Sequence, residues 1–550
     1  MMRKMCLLVA LWMSLVTMVL AQDKAPLDWF HLDPDRDSFP GISTQQTYRE
    51  LLKNQKKGKT IIVAVLDSGV DFEHEDLKDI MWVNADEIPD NGIDDDKNGY
   101  IDDVHGWSFL GNAKGENVHH DTYEVTRLYV ALKAKYEDKD PAKLSKKEKA
   151  EYDKYQEYKK VVEQKRAELE QNLPLYEATY KAVESLEKAI DATPITLEQI
   201  QKFRSTDRML TATANFIQQY MIEGADFESI KKDLKEYYEY LYNQYNYGYN
   251  TEFNPRTIVG DNMNDPYEKY YGNNDVRGPD SHHGTHVAGI IGAKRENGIG
   301  MDGVANNVRI MSVRTVPDGD ERDKDVANAI IYAVDNGAAV INMSFGKGAS
   351  PNKEAVDKAV KYALKKDVLI VHAAGNDGKK NDGTNNFPFD KFDKRGLFGP
   401  KYADNWIEVG AINWDANPAT FSNYSAENVD VFAPGTEIYS TVPGSKYENQ
   451  QGTSMAAPVV AGVAAVLRSY FPDLTAKQVK EIIMKSVVPV KGKVKKPGSD
   501  EMVSFSQLGM TGGYVNMHRA VQLAQQTKGK RKVSWGSRDK KSKDGAVAVP

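Results

Sequence analysis

The stretch Thr60-Ile61-Ile62-Val63-Ala64-Val65-Leu66 is an unbroken apolar run rich in β-branched residues, and Asp67-Ser68-Gly69 follows it directly. A run with no polar alternation reads as a strand buried on both faces, the environment at the middle of a parallel sheet. Asp67 then stands at the carboxyl end of that strand, where side chains of open α/β sheets reach a crevice. Similar runs recur at 309–316, 338–343, 368–373 and 406–411, and amphipathic helical patterns at 325–336 and 352–366 lie between them. Strand and helix in alternation predict an α/β domain.

Between the first strand and the rest the sequence changes character. Residues 121–250 hold 16 of the 29 Tyr, two of the 41 Gly and no His, with many Lys/Glu pairs. The pattern predicts helices over about 121–138, 142–170, 174–191, 196–222 and 226–245, with Pro141, Pro174 and Pro194 as breaks. The region reads as a helical insertion within the α/β domain: a solvated spacer bundle, a lid over an active site, or an arm that docks a partner protein. Its Tyr-rich end, from Tyr237 to Tyr249, is the candidate recognition surface.

Composition narrows the function. The 550 residues carry 72 Lys+Arg against 79 Asp+Glu, a net charge of −7, which argues against the basic face of a nucleic-acid-binding protein. With 29 Tyr, 17 Phe and 7 Trp the chain is not disordered throughout, and a single cysteine rules out a disulfide scaffold. The length predicts more than one domain, because single cores rarely grow past about 250–300 residues.

That cysteine, Cys6, lies in an export signal: Arg3 and Lys4 precede an apolar run over 7–20, and Val19 and Ala21 place small residues before a cleavage at Gln22. The run is shorter than the roughly 20 residues needed to span a bilayer, and no later stretch reaches that length. The expectation is a secreted or periplasmic protein without a membrane span. The predicted organisation is a signal peptide at 1–21, an N-terminal segment at 22–58, the α/β domain at 59–110 and 270–525, the insertion at 111–269, and a basic unstructured tail at 526–550.

Three short blocks carry chemistry: Asp67-Ser68-Gly69-Val70-Asp71, His283-Gly284-Thr285-His286-Val287-Ala288-Gly289, and Gly452-Thr453-Ser454-Met455-Ala456-Ala457-Pro458. Hydrolysis by a serine nucleophile needs a hydroxyl, an imidazole to take its proton, and a buried carboxylate to orient the imidazole. The chain order Asp, His, Ser matches one known triad arrangement and excludes the others. His282 and His286 have the i,i+4 spacing of zinc ligands, but no acidic residue stands between them as in the zinc-protease motif.

All three blocks resemble the subtilisin-like serine peptidases (subtilases, peptidase family S8). The resemblance implies a three-layer α/β fold with a mostly parallel sheet between helices, here carrying the helical insertion. It implies a serine endopeptidase acting on proteins or peptides through an acyl-enzyme, with Asp67 orienting the imidazole, His283 as general base and acid, and Ser454 as nucleophile. Ala373-Ala374-Gly375-Asn376 resembles the family's oxyanion block, which makes the Asn376 amide and the Ser454 backbone N–H the oxyanion donors. Ser344-Phe345-Gly346 would form one wall of the substrate cleft, with Gly375 near the pocket for the residue before the cut. The opposite edge would fall near 317–320, where Asp318, Asp320, Glu321 and Asp323 make an acidic rim and hint at basic substrates.

Calcium is the expected cofactor, in a structural role. Asp76 resembles the family's calcium aspartate, with Asn297 and the carbonyls of Arg295, Ile299 and Met301 supplying the rest. A second candidate is 94–105, where Asp94, Asp96, Asn98, Tyr100 and Asp102 occupy ligand positions of an EF-hand-type loop and Gly99 its sharp turn; its last ligand position holds His105 instead of Glu. The stretch between Ala21 and Thr60 is too short for the folded inhibitory propeptide of many relatives. Two other functions remain open at this point: a narrow processing protease recruited through the insertion, and an idle binding protein that keeps the fold.

Overall fold

A computed structural model of the chain describes residues 25–55, 58–394 and 399–532. The export signal expected at 1–21 and most of the basic tail lie outside these residues. Among them, no helix is long and apolar enough to cross a membrane.

The expected central strand is β1 (Ile61–Asp67). Beside it run β2 (Gly106–Ser108), β3 (Val308–Arg314), β4 (Val340–Met343), β5 (Leu369–Ala373), β6 (Trp406–Ile412) and β7 (Val431–Pro434). Later in the chain come β8 (Ile438–Val442), β9 (Lys446–Gln450), β10 (Val488–Pro489), β11 (Lys493–Lys495), β12 (Met502–Ser504) and β13 (Gly513–Tyr514). Nine of them form one sheet in the order β10-β13-β7-β6-β5-β4-β1-β3-β2, parallel except for the β10–β13 pair. β8 and β9 form a separate antiparallel hairpin, as do β11 and β12.

The second region is a helical arm of α1 (Glu124–Tyr136), α2 (Lys146–Ile190), α3 (Leu197–Lys202), α4 (Arg208–Ile222) and α5 (Phe227–Asn243). Two expectations change here. Pro174 does not break a helix, and α2 runs through it. The missing N–H costs one hydrogen bond, while both flanks are held: Leu169 is buried before it, Val183 and Leu186 after it, and Tyr176 packs edge-on to Tyr237 of α5. Conversely, the helix expected over 196–222 is two, because the Asp207 carboxylate accepts from the N–H groups of Met209 and Leu210 and starts a new helix there.

The sheet is covered by α6 (His282–Gly292), α7 (Asp323–Asp335), α8 (Lys353–Lys365), α9 (Thr453–Tyr470), α10 (Ala476–Lys485) and α11 (Met517–Gln525). Strand alternation divides β1 between two cores. Val63 and Val65 pack with α6 and α9, whereas Ala64 and Leu66 pack with α7 and α8. This is the expected α/β architecture of a sheet between helical layers.

Both ends of the described chain pack on this body. Trp29, Phe30 and Ile42 are in the same core as β1, and the Trp29 indole donates to the carbonyls of Thr436 and Glu437. Residues 526–532, expected to be unstructured, continue past the end of α11 without helix and bond to α10 and the turn before it. The Arg531 N–H donates to the Asp473 carbonyl, and Gln478 bonds both Lys528 and Lys530. The basic composition concealed this because the partners are distant acids and amides.

Candidate active site

Asp67 ends β1 and is 2% exposed. Its Oδ1 accepts the Ser68 N–H at 2.8 Å and faces His283 Nδ1 at 2.7 Å. His283 is the second residue of α6. That helix lies directly on the turn after β1, so closely that a Cβ on Gly284 would meet the Gly69 carbonyl and the Asp67 side chain. The adjacent Thr285 hydroxyl accepts the Asp71 N–H at 2.8 Å and locks the two blocks together. Burial lowers the basicity of the His283 ring, but the Asp67 charge and hydrogen bond outweigh it, so its pKa is held above 6.5. With Nδ1–H donating to Asp67, Nε2 is the nitrogen left to accept a proton.

Ser454 is the second residue of α9. Its hydroxyl donates to the Ser344 carbonyl at 3.1 Å, and the Ser344 hydroxyl donates back to the Ser454 carbonyl at 2.9 Å. Ser344 in turn lines the same cleft as Asp67 and His283, a space of about 260 Å³. Asn376 sits at the start of α9, where its Oδ1 accepts from both the N–H and the hydroxyl of Thr453 at 2.9 Å. That fixes which end of the amide is which: Nδ2 is the donor left over. A Cβ on Gly452 would lie 3.5 Å from Asn376 Nδ2 and 3.5 Å from the Ser454 backbone N, so both groups border the same space.

Of the expected pocket residues, Phe345 is half-buried and Gly346 exposed. Gly346 and Gly375 both abut Asn386 Oδ1, which a Cβ on Gly375 would approach to 3.1 Å. Gly375 has φ +96°, where a side chain would strain the backbone. Asn386 is held from behind, donating to the Ala373 carbonyl at 2.9 Å and to Glu408 at 3.2 Å. No motif marks Asn386.

The acidic rim is a correction. The Asp320 carboxylate accepts the Glu124 N–H at 2.7 Å, Asp323 pairs with Lys347 at 2.9 Å, and Glu321 is buried with its carboxyl pushed up to about 8 by burial. The arm and the loop after β4 absorb these acids, so Asp318 alone of the four lines the cleft. His119, Asp280 and Arg314 line it as well, and sequence reading missed all three because they come from separate parts of the chain.

For the first calcium site, the Asp76 carboxylate is fully buried. It contacts the Asn297 amide, the Met301 N–H at 3.3 Å and the Tyr447 hydroxyl at 3.0 Å. Asp76 and the 295–301 loop are therefore together, around an anionic group whose partners are all neutral. That environment fits a hard cation. Arg295 directs its guanidinium elsewhere, to the Gly303 carbonyl and to Asp302. In the 94–105 loop the expected set does not converge. Asp94 caps the N–H groups of Asn98 and Gly99, Asn98 caps that of Tyr100, and Asp102 caps those of Asn91 and Gly92. The carboxylates that approach one another within 4.8 Å are Glu87, Asp96 and Asp103.

His286 and His282 each have a partner on Glu448: His286 Nε2 meets its carbonyl at 3.1 Å, and His282 Nε2 meets its carboxylate at 3.0 Å.

Comparison with known proteins gives this geometry a context. The chain is 43% identical over 190 residues to the thermophilic serine proteinase of Bacillus sp. (strain AK1), covering 34% of this chain and 43% of that protein. It is 41% identical over 202 residues to subtilisin DY of Bacillus licheniformis, covering 36% and 67%. A solved structure of the prenylagaramide maturation protease PagA is 28% identical, covering 44% of this chain and 82% of the other at a TM-score of 0.36. The model of the Subtilase family, Peptidase_S8, matches residues 58–510, a span that contains Asp67, His283, Asn376 and Ser454. The chain belongs to the subtilase family.

Proposed function

We propose that the protein is an exported serine endopeptidase that cleaves proteins or peptides with Asp67, His283 and Ser454. The observation that carries this is the 2.7 Å contact between His283 Nδ1 and a buried Asp67 in a cleft shared with Ser344, whose carbonyl holds the Ser454 hydroxyl. Rotation about χ1 of Ser454 releases the hydroxyl to His283 Nε2. The ring takes the proton as Oγ attacks the substrate carbonyl, and Asp67 stabilises the imidazolium. Charge on the carbonyl oxygen is met by Asn376 Nδ2 and the Ser454 N–H, aided by the amino-terminal end of α9. His283 then gives its proton to the leaving amine, and water hydrolyses the acyl-enzyme by the same steps in reverse.

Calcium at Asp76, held also by Asn297 and the carbonyls of Arg295, Ile299 and Met301, would neutralise a buried carboxylate and tie two loops together. A second reading, a processing protease of narrow specificity, is favoured by the arm's position: Lys232 of α5 reaches Glu448 beside His282 at 3.4 Å, and Asn243 reaches Asp318 in the cleft at 2.7 Å. The exposed Tyr237, Tyr240 and Tyr242 on the same helix suit a partner protein.

The test is reaction with a fluorophosphonate, which modifies only an activated serine. One equivalent on Ser454, located by peptide mass mapping and lost in Ser454→Ala, supports the peptidase. A folded protein that takes up no label supports the idle binding protein.

A further inference from the structure

Resting on that reading, we propose that His119, carried on the segment leading into the arm, is a specificity-determining residue. In this assignment it walls the substrate subsite beside the Asp67–His283 pair, and together with Asp280 and Asp318 it selects a basic side chain.

His119 lines the catalytic cleft with Asp280, Asp318, Pro317 and Val316. It is held there from several directions. Its carbonyl accepts the Asp318 N–H at 2.8 Å, and the Asp121 N–H donates to the Asp318 carbonyl at 2.9 Å, so the segment pairs in parallel with the cleft edge through a single bridge between His120 and Asp318. The His119 ring stacks on His120 at 3.9 Å, and His120 stacks on Tyr247 at 3.9 Å with the planes 5° apart. Tyr247 lies in the π-helical turn, Gln244–Gly248, that continues from α5. The Asp318 carboxylate accepts from Asn243 at 2.7 Å and faces His120 Nδ1 at 2.9 Å. Beyond the stack, Asp121 grips the Arg322 guanidinium with both oxygens, at 2.7 and 2.9 Å. The arm thus reaches the cleft through one ordered ring and is not merely tethered nearby.

Charge sets the preference. Arg314, the cation in the cleft floor, is 1% exposed. Its guanidinium is committed to the carbonyls of Ser68 and Val118 and to the Ser108 hydroxyl. Burial and the neighbouring His120 hold His119 below the ordinary histidine value, so at neutral pH its ring adds no positive charge. The exposed carboxylates at the subsite are those of Asp280 and Asp318. A Lys or Arg side chain entering between them gains two attractions, and a Glu meets two repulsions. For partly solvated groups, that difference amounts to about tenfold.

The experiment compares peptides that vary one residue at a time over the three positions before the cut, in the wild type, His119→Ala and Asp280→Asn. The expected result is a Lys-over-Glu preference in kcat/KM of about tenfold at one of these positions. That preference falls several-fold in Asp280→Asn, which removes a charge, and in His119→Ala, which removes the ring stacked on His120 and so loosens the Asp318 carboxylate that His120 faces, while the profiles at the other positions keep their shape. A wild-type profile without charge preference, or variants whose activity falls uniformly at every position, overturns the proposal. Binding of the Lys and Glu peptides to Ser454→Ala, with and without His119→Ala, reads the same preference without turnover. Discrimination in binding with no hydrolysis by the wild type would refute the peptidase and leave the subsite standing.

Discussion

In the sheet, Val63, Val65, Ile370 and Val409 are fully buried and β1 has neighbours on both sides. In the arm, the buried side chains fall into two small clusters, one around Tyr129, Tyr155 and Val162 and one around Val183, Ile217 and Phe227. Its helices are dressed instead with exposed i,i+4 pairs such as Lys181–Glu177 and Lys235–Glu239. The joint between the regions uses the same residue types in the opposite way. Lys347 is buried, with Glu124 of the arm at 2.7 Å and Asp323 at 2.9 Å. The lesson is that a Lys–Glu pair on the arm is dispensable while one at its root is not, because removing one partner of a buried pair leaves an uncompensated charge.

The sharpest way to break this contrast is at the proposed catalytic pair, Asp67 and His283. Asp67→Asn removes the carboxylate that orients the His283 ring and raises its pKa, and is expected to lower kcat by about 10⁴-fold. The acidic limb of the residual pH–rate profile should also move to lower pH, because the proposed base His283 can act only when deprotonated and Asp67 raises its pKa from the ordinary value of 6.5. A profile with an unchanged limb would put the base elsewhere.

At the joint, Lys347→Met is expected to cost about 3–5 kcal/mol in urea unfolding, whereas Lys181→Met on the arm surface should change little. Equal effects would erase the distinction. The same joint predicts acid sensitivity. Burial alone would raise the Glu124 carboxyl, but Lys347 and Arg127 hold it at about 2. Its stabilisation is therefore complete above its ordinary value near 4.5 and lost as pH falls from there towards 2, which limited proteolysis of the arm would register.

Asn376→Ala keeps the pair and the joint but removes one of the two proposed oxyanion donors, with an expected loss of about 10²–10³ in kcat and little change in KM. The smallest effect belongs to calcium. Chelation should lower the melting temperature, by an amount corresponding to about 2.7 kcal/mol when calcium had stood at a hundred times its Kd. Asp76→Asn should abolish that response; a response that survives places the ion elsewhere.

These regions differ equally in how far they can be read from sequence. The strands are legible in their contiguous apolar runs, and the Asp67, His283 and Ser454 blocks in their chain order and their resemblance to the subtilase motifs, because each block is a short contiguous stretch. The arm's helices were visible as a pattern, but Pro174 and Asp207 acted against expectation because packing by α5 and a cap decided those positions. The acids at 320–323 read as an acidic rim of the cleft, since their partners Glu124, Arg127 and Lys347 lie far away in the chain. His119, Asp280 and Asn386 carry no motif, and only the fold brings them to the cleft. The 94–105 loop shows the same limit: its spacing suggested one ligand set, whereas local capping turned Asp94 and Asp102 to the backbone and left Asp96 facing Glu87 and Asp103.

The central claim is that Ser454 is the nucleophile of a peptidase. Hydrolysis of fluorescently labelled casein by the wild type and by Ser454→Ala, both verified as folded by circular dichroism, tests it most directly. The account predicts release of labelled peptides by the wild type and a fall of roughly 10⁶-fold in the variant. Equal hydrolysis by the two proteins would contradict it.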